Sequence, residues 1–333
     1  MNHYAPRSLV KPLIAAACLV AFVASCSSTG GKPRESGGGM GAGHADTPRV
    51  TIAMVTHGPP GDTFWDLIRK GAQTAAAKDN IDLKYSAELQ GPDQANLVQN
   101  AVDSKVAAIA VTLARPEALK PALQSATSAG IPFVAFNAGI DDWKATGAEA
   151  YFGQDEQISG QAAGKRLATV GARKVICIIQ DQGNVALESR CAGVKAGFGG
   201  PVENLNVNGT DMPSVQSTIT AKLRQDPSID YIVTLGAPIA LTAVESVNNA
   251  GSSAKIATFD TNGALVDAIK TGKVQWAVDQ QPFLQGYLAV DALWLYLNNR
   301  NIIGGGQPTL TGPAFIDKSN IDAIAGYAKN GTR

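Results

Sequence analysis

Short β-branched apolar runs alternate with helix-like stretches over most of the chain, and this alternation is the strongest constraint on its fold. The first run, Val50–Thr56, is bounded by Gly and Pro, as a buried strand of an α/β sheet should be. Helical crossovers between such strands are right-handed and make the strands parallel. The predicted strand and helix pairs are 50–56 with 64–78, 81–85 with 93–105, 107–112 with 116–129, 149–152 with 155–170, 174–179 with 188–198, 202–207 with 213–224, 231–235 with 238–249, 255–259 with 263–270 and 274–278 with 283–297, and a further strand at 131–136 precedes a loop.

The series of strands and helices restarts near Glu149, so the chain divides into two similar halves. We predict an α/β fold of two lobes, each built on a doubly wound parallel sheet. Open sheets of this kind bind ligands at the carboxyl ends of their strands. A ligand is therefore expected between the facing strand ends of the two lobes.

The amino-terminal segment has the layout of a bacterial export signal. Basic residues precede the apolar run 13–23, which is too short to span a bilayer comfortably. The run ends in Val-Ala-Ser-Cys, which resembles a lipobox, so we predict a signal peptide over 1–25 and an acyl anchor on Cys26. The alternatives are a cleaved signal with an ordinary cysteine and a retained membrane anchor. The Gly-rich stretch 26–48 predicts a flexible tether.

Charge and motif content exclude several functions. The 28 basic residues balance the 28 acidic ones without a basic stripe, which disfavours nucleic acid as a partner. We find no Gly-x-Ser-x-Gly elbow, no metal-spaced His/Cys set and no phosphate loop, so we expect no catalytic residue, metal or cofactor. A carbohydrate-active enzyme remains the minor alternative, with Asp62 and Asp260 as the only carboxylate pair to propose.

The stretch from His57 to Trp65 follows the first strand and opens the first helix, with Asp62 or Thr63 available as the N-cap. Two adjacent aromatics at a helix start cannot both face the helix's own core, so at least one of Phe64 and Trp65 is expected in the cleft. Aromatic faces suit the C–H faces of a sugar-like ring. The alternative is that both rings pack under the loop.

Six short segments are spread over nearly all of residues 50–316: Phe64-Trp65, 106–118, 129–137, 152–164, 257–260 and 280–286. Together they resemble the ribose/galactose type of periplasmic sugar-binding protein, the solute receptor of ABC importers and a relative of the ligand domain of LacI-type repressors. Their order and spacing are more specific than any one of them.

The resemblance implies a set of ligand-binding residues. Phe64 and Trp65 fall where the family places stacking aromatics, Asp62 where it often has a polar residue, and Asp260 and Gln280 match its pattern. Arg190 is the counterpart of a family arginine. Asn137 stands where many relatives have Asp followed by Arg, and the second-lobe Asn-Asp is replaced by Leu-Gly, so a polyol or another less common small polyhydroxy compound is favoured over a pentose or hexose. The full predicted set is Asp62, Phe64, Trp65, Thr112, Asn137, Arg190, Asp260 and Gln280.

Structural alternatives stay open for four of these residues. Asp260 precedes Thr-Asn-Gly and can cap a turn, and Arg190 can form a surface ion pair with Glu188 or Asp181. Gln280 can be a hinge residue only, and Thr112 can end its strand without touching ligand.

The resemblance also implies how the lobes are built and used. Three crossovers, near residues 152–154, 281–283 and 311–313, join an N-terminal lobe of 49–152 plus 282–310 to a C-terminal lobe of 153–281 plus 311–333. We expect a monomer, anchored to the outer face of the cytoplasmic membrane, that closes on a small carbohydrate or polyol and delivers it to an ABC permease. A receptor for a membrane kinase or chemoreceptor is the alternative.

Cys177 lies in a predicted strand and Cys191 in the following helix. An exported protein meets an oxidising compartment, so a disulfide between them is one prediction. Two buried small residues are the other.

Overall fold

A computed structural model of the chain describes residues 45–59 and 61–333. The predicted signal peptide and the acyl anchor on Cys26 lie outside the described residues, as does most of the predicted tether. Within the described residues no helix is both long and apolar enough to cross a membrane.

The helices and strands alternate as the sequence pattern predicts. Each predicted helix is present and begins within three residues of its expected start. The elements are β1 Val50–Thr56, α1 Thr63–Lys78, β2 Ile81–Ala87, α2 Gly91–Asp103, β3 Ala108–Thr112, α3 Pro116–Ser128, β4 Phe133–Phe136, α4 Trp143–Thr146, β5 Tyr151–Gly153, α5 Glu156–Thr169, β6 Val175–Ile179, α6 Val185–Phe198, β7 Val202–Asn206, α7 Met212–Gln225, β8 Tyr231–Thr234, α8 Ala237–Ala250, β9 Lys255–Phe259, α9 Gly263–Lys270, β10 Trp276–Asp279, α10 Pro282–Asn299, β11 Thr309–Leu310, β12 Ala314–Asp317 and α11 Ile321–Lys329.

Two six-stranded sheets organise the two lobes, which confirms the predicted fold class. The order of the first sheet is β11-β5-β4-β3-β1-β2, and all its neighbouring strands are parallel. The second sheet has the order β12-β10-β9-β8-β6-β7. Its edge strand β12 pairs antiparallel with β10, which the sequence pattern did not predict. Both orders reverse direction next to the first strand of the lobe, and such a switch point is where open sheets bind ligands.

Hydrophobic side chains cover both faces of each sheet. In the first lobe, α10 returns to pack on α1 and on the sheet through buried residues such as Val290 and Leu293. In the second lobe, α11 lies outside the predicted series of helices and adds Ile321 and Ile324 to the core. A disulfide joins Cys177 of β6 to Cys191 of α6, with the two Cα atoms 5.9 Å apart.

The chain passes between the two sheets three times. The passages lie between β5 and α5, between β10 and α10, and between β11 and β12. All three therefore lie on the same side of the molecule as the carboxyl ends of the parallel strands, beside the space between the lobes.

Candidate functional site

A cavity of about 440 Å³ lies between the carboxyl ends of the two sheets. Residues from both lobes line it, and seven of the eight predicted ligand-binding residues are among them: Asp62, Phe64, Trp65, Asn137, Arg190, Asp260 and Gln280. Its volume is at the small end of the range for small-molecule sites. The cavity therefore brings together predicted residues that are up to 218 positions apart in the sequence, from Asp62 to Gln280.

Aromatic rings form the wall contributed by the first lobe. The Trp65 ring lies edge to face against Phe64, with ring centroids 5.2 Å apart, and against His57, with centroids 4.6 Å apart. Trp65 reaches this position because Gly58 has no side chain: a Cβ there would lie 2.4 Å from the Trp65 ring. The glycine of the His-Gly-Pro sequence is thus the signal that a ring packs over this loop.

His57 is buried, and contacts with Thr112 fix its position. Its backbone N–H donates to the Thr112 hydroxyl at 3.1 Å, and its Nδ1 lies 2.8 Å from the same oxygen. Burial lowers the pKa of the His57 imidazole to about 4, so the ring is neutral at physiological pH. The neutral ring can exchange hydrogen bonds with a ligand without adding positive charge to the cavity.

Asp62 has a structural task in addition to its place on the cavity wall. Its carboxylate accepts a hydrogen bond from the Phe64 backbone N–H at 2.9 Å and so caps α1. Burial raises the pKa of the Asp62 carboxyl above its ordinary value. Capping leaves the second carboxylate oxygen as the one to offer a ligand.

Amide side chains connect the cavity to the crossovers. Asn137, at the end of β4, donates from Nδ2 to Gln285 Oε1 at 3.1 Å and to Gln280 Oε1 at 3.3 Å. Gln285 of α10 in turn donates to the Thr311 hydroxyl at 3.1 Å and to the Gln280 backbone carbonyl at 3.1 Å. Gln285 is fully buried, and the sequence analysis did not single it out. The network joins two of the crossovers to a residue of the cavity wall.

The second lobe contributes a buried ion pair. Arg190 donates from Nε to Glu156 Oε2 at 2.6 Å and from Nη2 to Glu156 Oε1 at 2.9 Å. Both side chains of the pair are only 3 % exposed. Arg190 therefore forms a buried ion pair with Glu156 and not a surface ion pair with Glu188 or Asp181, which was the alternative. A third bond runs from Nη1 to the Leu235 carbonyl at 3.2 Å.

Close packing of α5 on α6 makes this ion pair possible. A Cβ at Gly160 would lie 2.2 Å from the Arg190 carbonyl oxygen, and one at Gly193 would lie 2.5 Å from the Gln157 carbonyl oxygen. Glycines at these two positions let the helix backbones touch, which brings Glu156 at the start of α5 to Arg190 in α6. Burial raises the pKa of the Glu156 carboxyl, and its hydrogen bonds with the guanidinium oppose this by favouring the ionised form.

Asp260 occupies the end of β9 with a left-handed backbone, φ 65°. Its Oδ1 accepts a hydrogen bond from Gln280 Nε2 at 2.8 Å. Burial raises the pKa of the Asp260 carboxyl to about 7, although Arg190 and Gln280 act in the opposite direction. Among the described residues the Gln280 amide is the one hydrogen-bond donor to this carboxylate, so ligand hydroxyls could supply further donors.

Thr112 does not line the cavity. It is fully buried at the end of β3, where its hydroxyl also accepts from Gln94 Nε2 at 3.0 Å. Its contact with the site is indirect, through His57. In contrast, Gln180 lines the cavity, and its buried Oε1 has no hydrogen-bond partner within the described part of the chain. Gln180 follows β6 as His57 follows β1, and this equivalence was the available sequence signal.

Direct contacts join the lobes at the mouth of the cavity. Arg115 of the first lobe forms an ion pair with Asp181 of the second, at 2.5 Å between Nη2 and Oδ1. The Val185 backbone N–H donates to the Ala114 carbonyl at 3.1 Å, and on another side Asn262 Nδ2 donates to the Thr63 hydroxyl at 3.2 Å. The structure therefore represents a closed arrangement of the two lobes around the cavity.

No group of three or more His, Cys, Asp or Glu side chains in residues 45–59 and 61–333 is arranged so that it could hold a metal ion. The two α/β lobes enclose a cavity lined by polar and aromatic side chains. This is the architecture of the class of proteins that bind a ligand in a cleft between two lobes.

Residues 52–301 match the periplasmic binding protein domain family, and the chain belongs to this family. The family confirms the resemblance inferred from the sequence segments, and its name places its members outside the cytoplasm. The curated relatives are binding proteins by name. One is the xylose/arabinose-binding protein of Sulfolobus acidocaldarius, 28 % identical over 68 % of this chain, where the match spans only 60 % of the relative's length. Another is the ribose import binding protein of Bacillus subtilis, 24 % identical over 76 % of this chain and 83 % of that protein.

A solved structure is considerably more similar. The carbohydrate transporter from Acidothermus cellulolyticus, crystallised in complex with myo-inositol, is 58 % identical. The match covers 86 % of this chain and 100 % of that one, with a TM-score of 0.85.

Proposed function

We propose that this protein is the extracytoplasmic solute-binding lipoprotein of an ABC importer and that it captures a neutral cyclic polyol, with myo-inositol as the first candidate. The observation that carries the proposal is the closed cavity, which has aromatic rings on one wall and hydrogen-bonding groups on the other. A cyclic polyol has the same division, with C–H groups on its faces and hydroxyls around its edge.

Each group in the cavity has a role in this proposal. Trp65 and Phe64 pack against the ring of the ligand. Asp260 accepts two hydroxyl hydrogens, and the free N–H groups of Arg190 donate to hydroxyl oxygens. Asn137 and Gln280 either donate or accept, because each amide has both kinds of atom.

The choice of a polyol has two independent supports. The first is that Ala138 and Leu235-Gly236 stand where pentose and hexose receptors of this type have charged or amide residues, as the sequence resemblance implies. The second is the myo-inositol complex of the Acidothermus relative, which shares 58 % of its aligned residues with this chain. Both point away from a typical pentose or hexose site.

Ligand capture follows from lobe closure. We propose lobes of 49–152 plus 282–310 and of 153–281 plus 311–333, which move about the three crossovers. A ligand that touches both walls binds the closed arrangement more tightly than the open one and shifts the balance toward closure. The permease would then recognise the closed surface, and acylation of Cys26 would hold a monomeric receptor near it.

The direct test is a thermal-shift screen of the chain from residue 46, with calorimetry on the hits. The panel contains inositols, pentitols, hexitols, pentoses and hexoses. We expect myo-inositol or a stereoisomer to raise the melting temperature, since a ligand that binds only the native state stabilises it. Mono-deoxy analogues should bind more weakly by about 1–3 kcal/mol for each buried partner left unpaired. A panel in which only pentoses or hexoses stabilise the protein would overturn the polyol assignment.

Membrane attachment needs a separate test on the full-length chain. Cys26→Ser should release the protein from the membrane fraction of the host and abolish incorporation of a labelled fatty acid. Retention of the variant on membranes would contradict the acyl anchor.

The import role predicts that deletion of the gene abolishes uptake of the labelled ligand, and unchanged uptake would contradict it.

A further inference from the structure

We infer that Glu156 determines the charge class of the ligand: by neutralising Arg190 it restricts the cavity to uncharged polyols and excludes their carboxylate and phosphate derivatives. This inference rests on the proposed function and names a residue that does not itself line the cavity. Glu156 is 2 % exposed and lies behind Arg190, which does line it.

A guanidinium on a cavity wall is ordinarily an anion site, because its planar donors match carboxylate and phosphate oxygens. Here both donors of one edge of Arg190 already bind a carboxylate, at 2.6 Å and 2.9 Å. The Leu235 carbonyl takes a third donor at 3.2 Å. The remaining N–H groups of Arg190 can donate to ligand hydroxyls, but the positive charge of the guanidinium is already paired with the Glu156 carboxylate.

The other ionisable groups of the cavity do not supply positive charge. Arg115 at the mouth is paired with Asp181, and His57 is neutral because burial lowers its pKa to about 4. Asp62 and Asp260 are both carboxyls, and the nearest donor of Asp260 is the neutral amide of Gln280. An anionic ligand would therefore enter a buried site that holds carboxylates and no unpaired cation among the described residues, which is costly at low dielectric.

Glu156 also receives support that fixes it in place. Gln154 Nε2 donates to Glu156 Oε2 at 2.8 Å, and Ser159 donates to Gln154 Oε1 at 2.9 Å. Each carboxylate oxygen of Glu156 thus has a donor, and Oε2 has two. This arrangement holds a charge behind the wall of the cavity, where it acts on the ligand through Arg190.

The experiment compares ligand pairs that differ in charge, at pH 8. The pairs are D-glucose with D-glucuronate and myo-inositol with myo-inositol 1-phosphate, and affinities are measured by calorimetry for the wild type and for Glu156→Gln. The wild type should bind the neutral member of a pair at least a hundredfold more tightly. In Glu156→Gln the ratio of anion to neutral affinity should rise at least tenfold, because the charge of Arg190 is no longer cancelled.

Asp155→Asn is the matched control. It makes the same change in net charge at the adjacent residue, which is partly exposed, and asparagine still caps α5. Its ratio should equal that of the wild type.

Three outcomes overturn the inference. In the first, the wild type binds glucuronate or the phosphate with an affinity within tenfold of that for the neutral partner. In the second, the ratio of anion to neutral affinity in Glu156→Gln equals that of the wild type. In the third, this ratio rises as much in Asp155→Asn as in Glu156→Gln. The wild-type comparison can overturn the inference even if Glu156→Gln does not fold. If no neutral polyol or sugar binds the wild type, the proposed function itself fails, and that result is distinct from binding of both members of a pair.

Discussion

Asn137 and Asp260 occupy equivalent corners of the two lobes and share one backbone geometry. Asn137 follows β4 with φ 66°, and Asp260 follows β9 with φ 65°. In each case the backbone N–H donates at 2.8 Å to the neighbouring strand, to the Phe152 carbonyl in the first lobe and the Val278 carbonyl in the second. The side chains differ in charge: one corner holds an amide and the other a carboxylate.

This difference extends to the two walls of the cavity. The first lobe presents Phe64, Trp65 and a neutral His57, so its contact with a ligand is mainly apolar. The second lobe presents the charged side chains of Arg190 and Asp260, so its contact with a neutral ligand is mainly by hydrogen bonds. The repeated backbone fixes where a side chain points, and the residue at that place decides what each lobe contributes to binding.

Removal of the guanidinium should have the largest effect. Arg190→Ala leaves Glu156 buried without its counter-ion, and breaking a buried pair in this way costs about 3–5 kcal/mol of the free energy of unfolding. Ligand binding should be lost as well. Chemical denaturation measures the first effect and calorimetry the second.

The double variant Arg190→Met/Glu156→Met separates the two effects. It replaces both charges by apolar side chains of similar length, so most of the lost stability should return while binding stays absent. Restored binding in this double variant would show that Arg190 is not a ligand contact.

Trp65→Ala should remove the apolar surface that faces the ligand. We expect affinity to fall by about a hundredfold, the order of an aromatic stacking and burial contribution of 2–3 kcal/mol. Trp65→Phe keeps a ring in place and should lose much less. An affinity for Trp65→Ala equal to that of the wild type would mean that Phe64 alone forms the aromatic wall.

The residues that line the cavity were largely predictable because they follow strands. Asn137 and Asp260 end strands, Phe64 and Trp65 begin the helix after β1, and the carboxyl edge of a parallel sheet is where such positions converge. Thr112 also ends a strand, yet its hydroxyl points to His57 and Gln94. Position in the chain predicts which residues lie at the edge of the sheet, but it does not predict the direction of their side chains.

The supporting residues were not predictable from the sequence. Glu156 stands in the first turn of a helix, where an acidic residue is favoured by the helix dipole alone, so nothing in the pattern indicated an ion pair. Its partner is 34 residues away and meets it only because Gly160 and Gly193 let two helices touch. Gln285 is similar, since its role depends on the return of α10 to the first lobe. Contacts of this kind depend on tertiary packing and not on local pattern.

Asp260→Asn should make the two corners alike and remove a pH dependence. In the proposed binding mode ligand hydroxyls donate to the ionised carboxylate, whose pKa is about 7 in the closed cavity, so binding below pH 7 would require a proton to leave. Wild-type affinity should rise with pH from about 5 to about 7, by at most about tenfold per pH unit, and level off above. In the variant the affinity should be lower at pH 8 and nearly constant with pH.

The stability of the unliganded protein should change with pH in the opposite direction. The folded state holds the proton of Asp260 more tightly than the unfolded chain, where the ordinary pKa is 3.8. The contribution of this group is therefore fully present below pH 4 and is lost as pH rises through 7. The difference between wild type and Asp260→Asn in urea denaturation at pH 5 and pH 8 isolates it. A wild-type affinity that does not vary between pH 5 and 8 would contradict a role for the Asp260 carboxylate.

Arg115→Gln should have the smallest effect, because it disturbs only the contact between the lobes. Arg115 and Asp181 are 19 % and 15 % exposed, so their ion pair is partly screened by water and contributes about 1 kcal/mol at most. The pair exists only when the cleft is shut, so its loss favours the open arrangement and lowers affinity by a few-fold without any change to a residue that lines the cavity. The change should appear mainly in the rate of ligand dissociation in stopped-flow measurements. Lys120→Gln removes the same charge at an exposed position of α3, the helix that follows Arg115, so it is the control and should leave the rate unaltered. If both variants release ligand at the wild-type rate, the contacts that hold the lobes together lie in the ligand and the crossovers and not at the mouth of the cavity.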